Sequence, residues 1–107
     1  MRIKALKVEI GKTPRMVEIE NDLKTLQGEV GGYIETMYPW DREVAIICNE
    51  EGKIIGLPLN RPIFTDDGDM VDVIAGDFLV VGLGEEDFRS LKKADAIYAY
   101  NMLYFAL

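Results

Sequence analysis

Hydrophobic and polar positions along the chain change period several times, and each change marks an element. Ile3-Lys4-Ala5-Leu6-Lys7-Val8-Glu9-Ile10 shows mixed alternation and Gly11 to Pro14 carries turn chemistry. Arg15 to Glu20 then offers Met16, and less regularly Val17 and Ile19, to a core, so the two runs read as an antiparallel hairpin. Asn21 or Asp22 can cap a helix whose apolar positions Leu23, Leu26 and Val30 are spaced by three and four, and Gly31-Gly32 ends it. Tyr33 to Tyr38 reads as a strand stopped by Pro39. Glu43 to Cys48 is the most continuous apolar run and predicts a central strand, with Lys53 to Gly56 returning as its hairpin partner across a turn at Asn49 to Gly52.

The stretch from Leu57 to Ile63 holds two prolines, which excludes a regular central strand or a helix interior. Thr65 to Asp69 is a polar turn, Met70 to Gly76 leans to strand, and Asp77 to Leu83 is a clear strand. Glu85, Glu86 and Asp87 suit the positive end of a helix dipole, so a helix through Phe88 and Leu91 is expected, with Lys92 and Lys93 near its far end. Beyond Ala94, Ile97, Asn101 and Tyr104 recur at helical spacing, flanked by Tyr98 and Phe105. The prediction is one α+β domain over residues 1–107: a mixed, mostly antiparallel sheet with two or three helices, the last aromatic and apolar.

Composition narrows the partners. The net charge of −7 opposes binding to a phosphate backbone, so no direct nucleic-acid contact is expected. No apolar stretch of membrane-spanning length or signal-peptide type is present, and the single cysteine, Cys48, has no internal disulfide partner. A cytoplasmic protein without membrane contact is the expectation.

The absence of histidine removes the Ser-His and Cys-His nucleophilic pairs and the commonest zinc ligands. No cofactor or catalytic set is assigned. Cys48 lies in an apolar run and reads as a buried small hydrophobe rather than a reactive thiolate. Asp66, Asp67, Asp69 and Asp72 lack the ligand spacing of an EF-hand loop and read as a solvated turn, leaving no metal site assigned. Gly82-Leu83-Gly84 fails the dinucleotide fingerprint, because Asp87 stands where its third glycine belongs.

Asn60 and Arg61, held between prolines, form a stiff loop with two alternative uses. They can bind a nucleotide-like ligand, with Asp72, Asn49 and Tyr33 as companions, or they can lock the loop by pairing Arg61 with Asp72 or Asp77. The aromatic tail is either core or a dimer contact through Tyr98, Tyr104 and Phe105.

Leu26 to Glu35 (LQGEVGGYIE), Val44 to Arg61 (with CNEEGKIIGLPLNR) and Asp72 to Gly82 (DVIAGDFLVVG), in this order, resemble the domain-of-unknown-function family numbered thirty-eight forty-six. The resemblance runs from the first strand to about Leu91. It implies a small protein of bacteria, phages or mobile elements, with Gly31, Gly32, Asn49, Asn60, Arg61, Asp72 and Gly76 among the shared positions, and it carries no catalytic assignment.

Three functions follow as expectations. The first is a non-catalytic accessory protein of phage or mobile-element origin that contacts an unknown protein partner or forms a homo-oligomer. The second is a small-ligand binder using the Asn60-Arg61 loop beside Tyr33, Tyr38 and Trp40. The third is an enzyme using carboxylates among Asp72, Asp77 and Glu35, which requires two of them in one cleft.

Overall fold

A computed structural model describes residues 1–107. Strands β1 (Arg2–Val8) and β2 (Arg15–Glu20) form the antiparallel hairpin expected, with Ile3 opposite Ile19 and Leu6 opposite Met16. Helix α1 (Leu23–Val30) opens at Asp22, whose carboxylate accepts a hydrogen bond from Thr25 N at 2.7 Å. It closes at Gly31, whose φ of 79° is the left-handed cap that glycine adopts without a Cβ clash. Strands β3 (Ile34–Met37), β4 (Val44–Asn49), β5 (Leu59–Phe64), β6 (Met70–Ala75), β7 (Phe78–Leu83) and β8 (Phe88–Arg89) follow, and helix α2 (Lys93–Met102) comes last.

The main sheet has the order β2-β1-β7-β4-β3, with β8 on a further stretch of β7, while β5 and β6 form a separate two-stranded ribbon. Every pairing is antiparallel. Strand β7 is the hub, meeting β1 through Phe78 to Val80 and β4 through Leu79 to Gly82. One face of the sheet, with Ala5, Ile19, Ala45, Ile47, Leu79 and Val81, is sealed by Leu26 and Val30 of α1. The other, with Val8, Val44, Ile46, Phe78 and Val80, packs on Ile63 and Ile74 of the ribbon, on Trp40, and on Ala99 and Leu103 at α2. Burial on both faces explains why β4 and β7 read as continuous apolar runs. No helix is long and apolar enough to cross a membrane.

Four expectations change. Lys53 to Gly56 is not a return strand: both edges of β4 are occupied, by β3 and β7, and the segment after it coils into turns. Asn60 and Arg61 are not in a loop, since Leu59–Phe64 is a strand, although as the prolines require it is not a central one. Pro62 is tolerated opposite Val73 because a two-stranded ribbon consists only of edges.

No helix begins at Glu85. The acidic turn leads into β8, and the chain continues beside β1, where Lys4 N donates to Ser90 Oγ (2.8 Å) and Leu91 N to Lys4 O (2.9 Å). Lys92 and Lys93 therefore open α2 instead of closing a helix. Finally, Met16 and Leu23 are exposed, and α2 turns Ala99 inward while Ile97, Asn101 and Tyr104 face out. Alanines on the inner side let the helix approach the sheet closely.

Gly82 is where β8 crowds β7: a Cβ there would lie 2.6 Å from Ser90 O and 3.1 Å from Arg89 O. Gly82→Ala should lower stability by about 1–3 kcal/mol, the usual cost of overpacking. Urea unfolding followed by tryptophan fluorescence checks this; an unchanged midpoint would contradict the close approach of β8.

Candidate functional site

Asn60 and Arg61 do not stand on the surface. An irregularity in the β5–β6 register between Leu59 and Arg61 breaks the alternation of β5, and both residues are buried at the junction between the ribbon, β1 and the end of α2. Asn60 Nδ2 donates to Val8 O and to Gly76 O, each at 2.9 Å, and its Oδ1 accepts from Arg61 Nη1 at 2.6 Å. Arg61 Nε donates to Leu103 O at 2.6 Å, and its Nη2 donates to Lys12 O.

All three guanidinium nitrogens are thus spent on the chain itself, and no carboxylate pairs with Arg61. The expected partners are engaged elsewhere: Asp72 with Lys53, and Asp77 as acceptor for Ile10 N at 3.0 Å. Burial pulls the Arg61 pKa down from its ordinary value. Carbonyl oxygens around it, including those at the negative end of α2, supply the compensating charge. Gly76 completes the junction with a φ of 83° and donates to Pro58 O at 2.8 Å.

Tyr33, Asn49 and Asp72, the other candidate ligand residues, gather at the far end of β4. Asn49 Nδ2 donates to Val30 O at 3.2 Å and its Oδ1 accepts from Glu51 N at 2.8 Å, which ties the end of α1 to the turn after β4. Gly32 must be small here, since a Cβ would stand 2.9 Å from Asn49 Nδ2. On one side of Asn49 a groove of about 250 Å³ holds Tyr33, Gln27 and Ile55. On the other a cleft of about 280 Å³ is lined by Glu35, Cys48, Glu50, Lys53 and Asp72.

Two of the three carboxylates considered for catalysis, Glu35 and Asp72, therefore share one cleft, and Asp77 lies outside it. Lys53 was missed because its segment reads as a strand. Only the fold of the turn brings it to Asp72, with which it forms an ion pair. Cys48 faces this cleft from β4, opposite Glu35. Burial first, then the charges of Glu35 and Asp72, push its thiol up to about 11, with Lys53 pulling the other way. It is a thiol, not a thiolate, at neutral pH.

The aromatic tail divides. Tyr98 is half-buried: its ring meets Trp40 edge-on at 5.6 Å, the Arg42 guanidinium sits 4.1 Å above it, and its hydroxyl donates to Asp66. That hydrogen bond holds the Asp66 carboxyl below its ordinary value and the Tyr98 hydroxyl above its own. Asp66 also accepts from Asp41 N at 2.7 Å, so this aspartate anchors a loop as well as facing solvent. Tyr104 and Phe105 remain on the surface, their rings 5.1 Å apart and nearly perpendicular, with Tyr100 at 5.6 Å from Tyr104. No three His, Cys, Asp or Glu side chains come together in a way that could hold a metal ion.

These features define an α+β domain in which the polar motif residues hold elements together more than they face outward. The chain belongs to the DUF3846 family, a domain of unknown function, whose profile matches residues 1–104. The match extends past Leu91 and so takes in α2, which the motifs alone do not reach. No curated protein and no solved structure matches the chain.

Asn60→Ala should cost about 2 kcal/mol or more, since it strands two buried carbonyls and a guanidinium donor; chemical denaturation reads the loss. For Cys48, alkylation by iodoacetamide at pH 8 should run about a hundredfold slower in the folded chain than in urea, from the rise of the thiol from 9.0 to about 11. The same shift sets a sign for stability. Because the folded state resists ionisation, its advantage is complete below pH 9 and declines as pH climbs toward 11. Cys48→Ala should flatten that part of the stability–pH curve.

Proposed function

We propose that this protein is a non-catalytic accessory domain, of the phage or mobile-element kind that its family resemblance implies, working through protein contacts and self-associating at its C-terminal aromatic end. One observation carries the reading: Phe105 is 82% exposed, with Tyr104 and Leu107 uncovered beside it, whereas in the Trp40–Tyr98 pair Trp40 is buried and Tyr98 half-buried. Residues 96–107 hold no charged side chain, although the protein carries a net charge of −7. Two copies repel through most of their surfaces and can approach here without opposed carboxylate side chains. Aromatic side chains also supply much of the binding energy where proteins meet.

A small-ligand reading is favoured by one feature, the convergence of Glu35, Lys53 and Asp72 beside Asn49. A nucleotide-like anion fits it poorly. Three carboxylates outnumber one lysine there, and Arg61 is buried away from this cleft. The same two carboxylates, Glu35 and Asp72, are what a carboxylate-based enzyme would use, and Cys48 beside them is held as an unreactive thiol.

Light scattering on the purified chain tests the proposal directly. The wild type should have the mass of a dimer, and Tyr104→Ser with Phe105→Ser should give a folded monomer with an unchanged circular dichroism spectrum. A wild-type monomer at 100 μM, or a double variant that stays dimeric, would overturn the self-association.

A further inference from the structure

Beside α2 the sheet is left partly uncovered. Leu6 of β1 forms the floor of an apolar groove of about 350 Å³; Pro14 and Met16 form one wall, and Ala96, Ile97 and Tyr100 of α2 form the other. Lys93, Ala96, Ile97 and Tyr100 stand at i, i+3, i+4 and i+7, so they make a single stripe along the helix. That stripe is turned toward the groove, and Met16 and Ile97 are each about half exposed in it, at 46% and 54%. The space has the form left when a sheet face with one helix on it lacks the next.

Charge at the groove has a definite sign. Most cations of this acidic protein are paired: Arg2, Lys7, Lys12, Arg15, Arg42, Lys53 and Arg89 each reach a carboxylate. Arg61 is buried and Lys24 lies on α1; the remaining three without a carboxylate partner, Lys4, Lys92 and Lys93, belong to segments joined where Leu91 N bonds to Lys4 O just before α2. Lys93 lines the groove itself. Asp95 on α2 pairs with Arg42 at 2.9 Å, and Glu18, the cross-strand neighbour of Lys4, lies 3.8 Å from Arg2. No carboxylate lines the groove.

We propose that this groove receives an amphipathic helix of a partner protein, one that lays two or three apolar side chains against Leu6, Met16 and Ile97 and places carboxylates over Lys4 and Lys93. Helix-in-groove recognition of this kind uses anchors at i, i+3 or i+4, and i+7. Opposite charge at one end fixes the direction in which the helix lies and speeds its arrival. The inference rests on the reading of the protein as an interaction domain, but it uses side chains other than Tyr104 and Phe105; the groove adjoins that end only through Tyr100, whose ring lies 5.6 Å from Tyr104.

The test is selection from a displayed library of random helical peptides of about 14 residues, ~21 Å of helix, against the full-length chain. The Ile97→Glu variant serves for counter-selection. Enriched peptides should carry apolar residues at i, i+3 or i+4 and i+7, with Asp or Glu concentrated at one end. A synthetic copy of one should bind the Lys4→Glu, Lys93→Glu variant about tenfold or more weakly, and bind the wild type less well as salt rises. No enrichment over Ile97→Glu, enrichment of basic peptides, or indifference to charge reversal would each overturn the proposal.

Solution mass separates this from the dimer. If Ile97→Glu alone turned a dimer into a monomer, the groove would belong to the self-contact, and the partner-helix inference would fall while the dimer stood. Peptide binding retained by the Tyr104→Ser, Phe105→Ser variant supports two independent surfaces.

Discussion

The buried guanidinium of Arg61 is the constraint on which the rest of this structure depends. A cation with no carboxylate beside it is costly to remove from water, and it persists only where oxygen dipoles surround it in good geometry. Those oxygens come from two places distant in sequence, Lys12 in the β1–β2 turn and Leu103 at the end of α2, and from the side chain and carbonyl of the adjacent Asn60, which itself donates to Val8 O at the end of β1. One side chain therefore fixes the hairpin, the ribbon and the C-terminal helix relative to each other. Its neighbour Asn60 extends the same tie to Gly76 and the turn between β6 and β7.

With that junction set, the hydrophobic layers follow. Strand β7 lies between β1 and β4, and its Phe78, reached through the turn at Gly76, packs with Ile63 and Ile74 of the ribbon. The central strands then lie between α1 on one side and the ribbon with α2 on the other, and their alternation is lost because both faces are apolar. Asn49 does for the far end of β4 what Asn60 does for the near end, joining α1 to the following turn. The motif positions Gly31, Gly32, Asn49, Asn60, Arg61 and Gly76 thus share a physical role: they satisfy buried backbone groups or allow close approach where elements meet. Asp72 alone among them makes an ion pair, with Lys53.

A protein that spends its polar motif residues inside is left to act with what it shows outside. That surface is acidic overall, interrupted by an uncharged aromatic end and by a groove beside three lysines without carboxylate partners. Both features lie along or near α2, so the latch at Leu103 also holds the contact surfaces in place. Loss of Arg61 would therefore be felt at Phe105 and at the groove, although neither touches it by an ion pair.

Much of the architecture was legible in residue order. The β1–β2 hairpin, the capped α1, the strands at Val44–Asn49 and Phe78–Leu83 and an aromatic final helix all follow from period, capping and glycine chemistry, which act within a few residues. So does the inert character of Cys48, since an apolar run implies burial. What residue order did not disclose depends on neighbours far along the chain. Lys53 to Gly56 has the composition of a strand, yet no edge of β4 was free to accept it. Phe88 and Arg89 follow an acidic turn suited to a helix, yet the open side of β7 took them as a strand. Asn60 and Arg61 suit a lock or a ligand by sequence, because the same donors serve both. Only the tertiary structure, by surrounding them with the carbonyls of Val8, Gly76, Leu103 and Lys12, decided for the lock. The physical reason is common to all three: pairing and burial are set by which partners remain unoccupied when the whole chain closes, and that is not a local property of sequence.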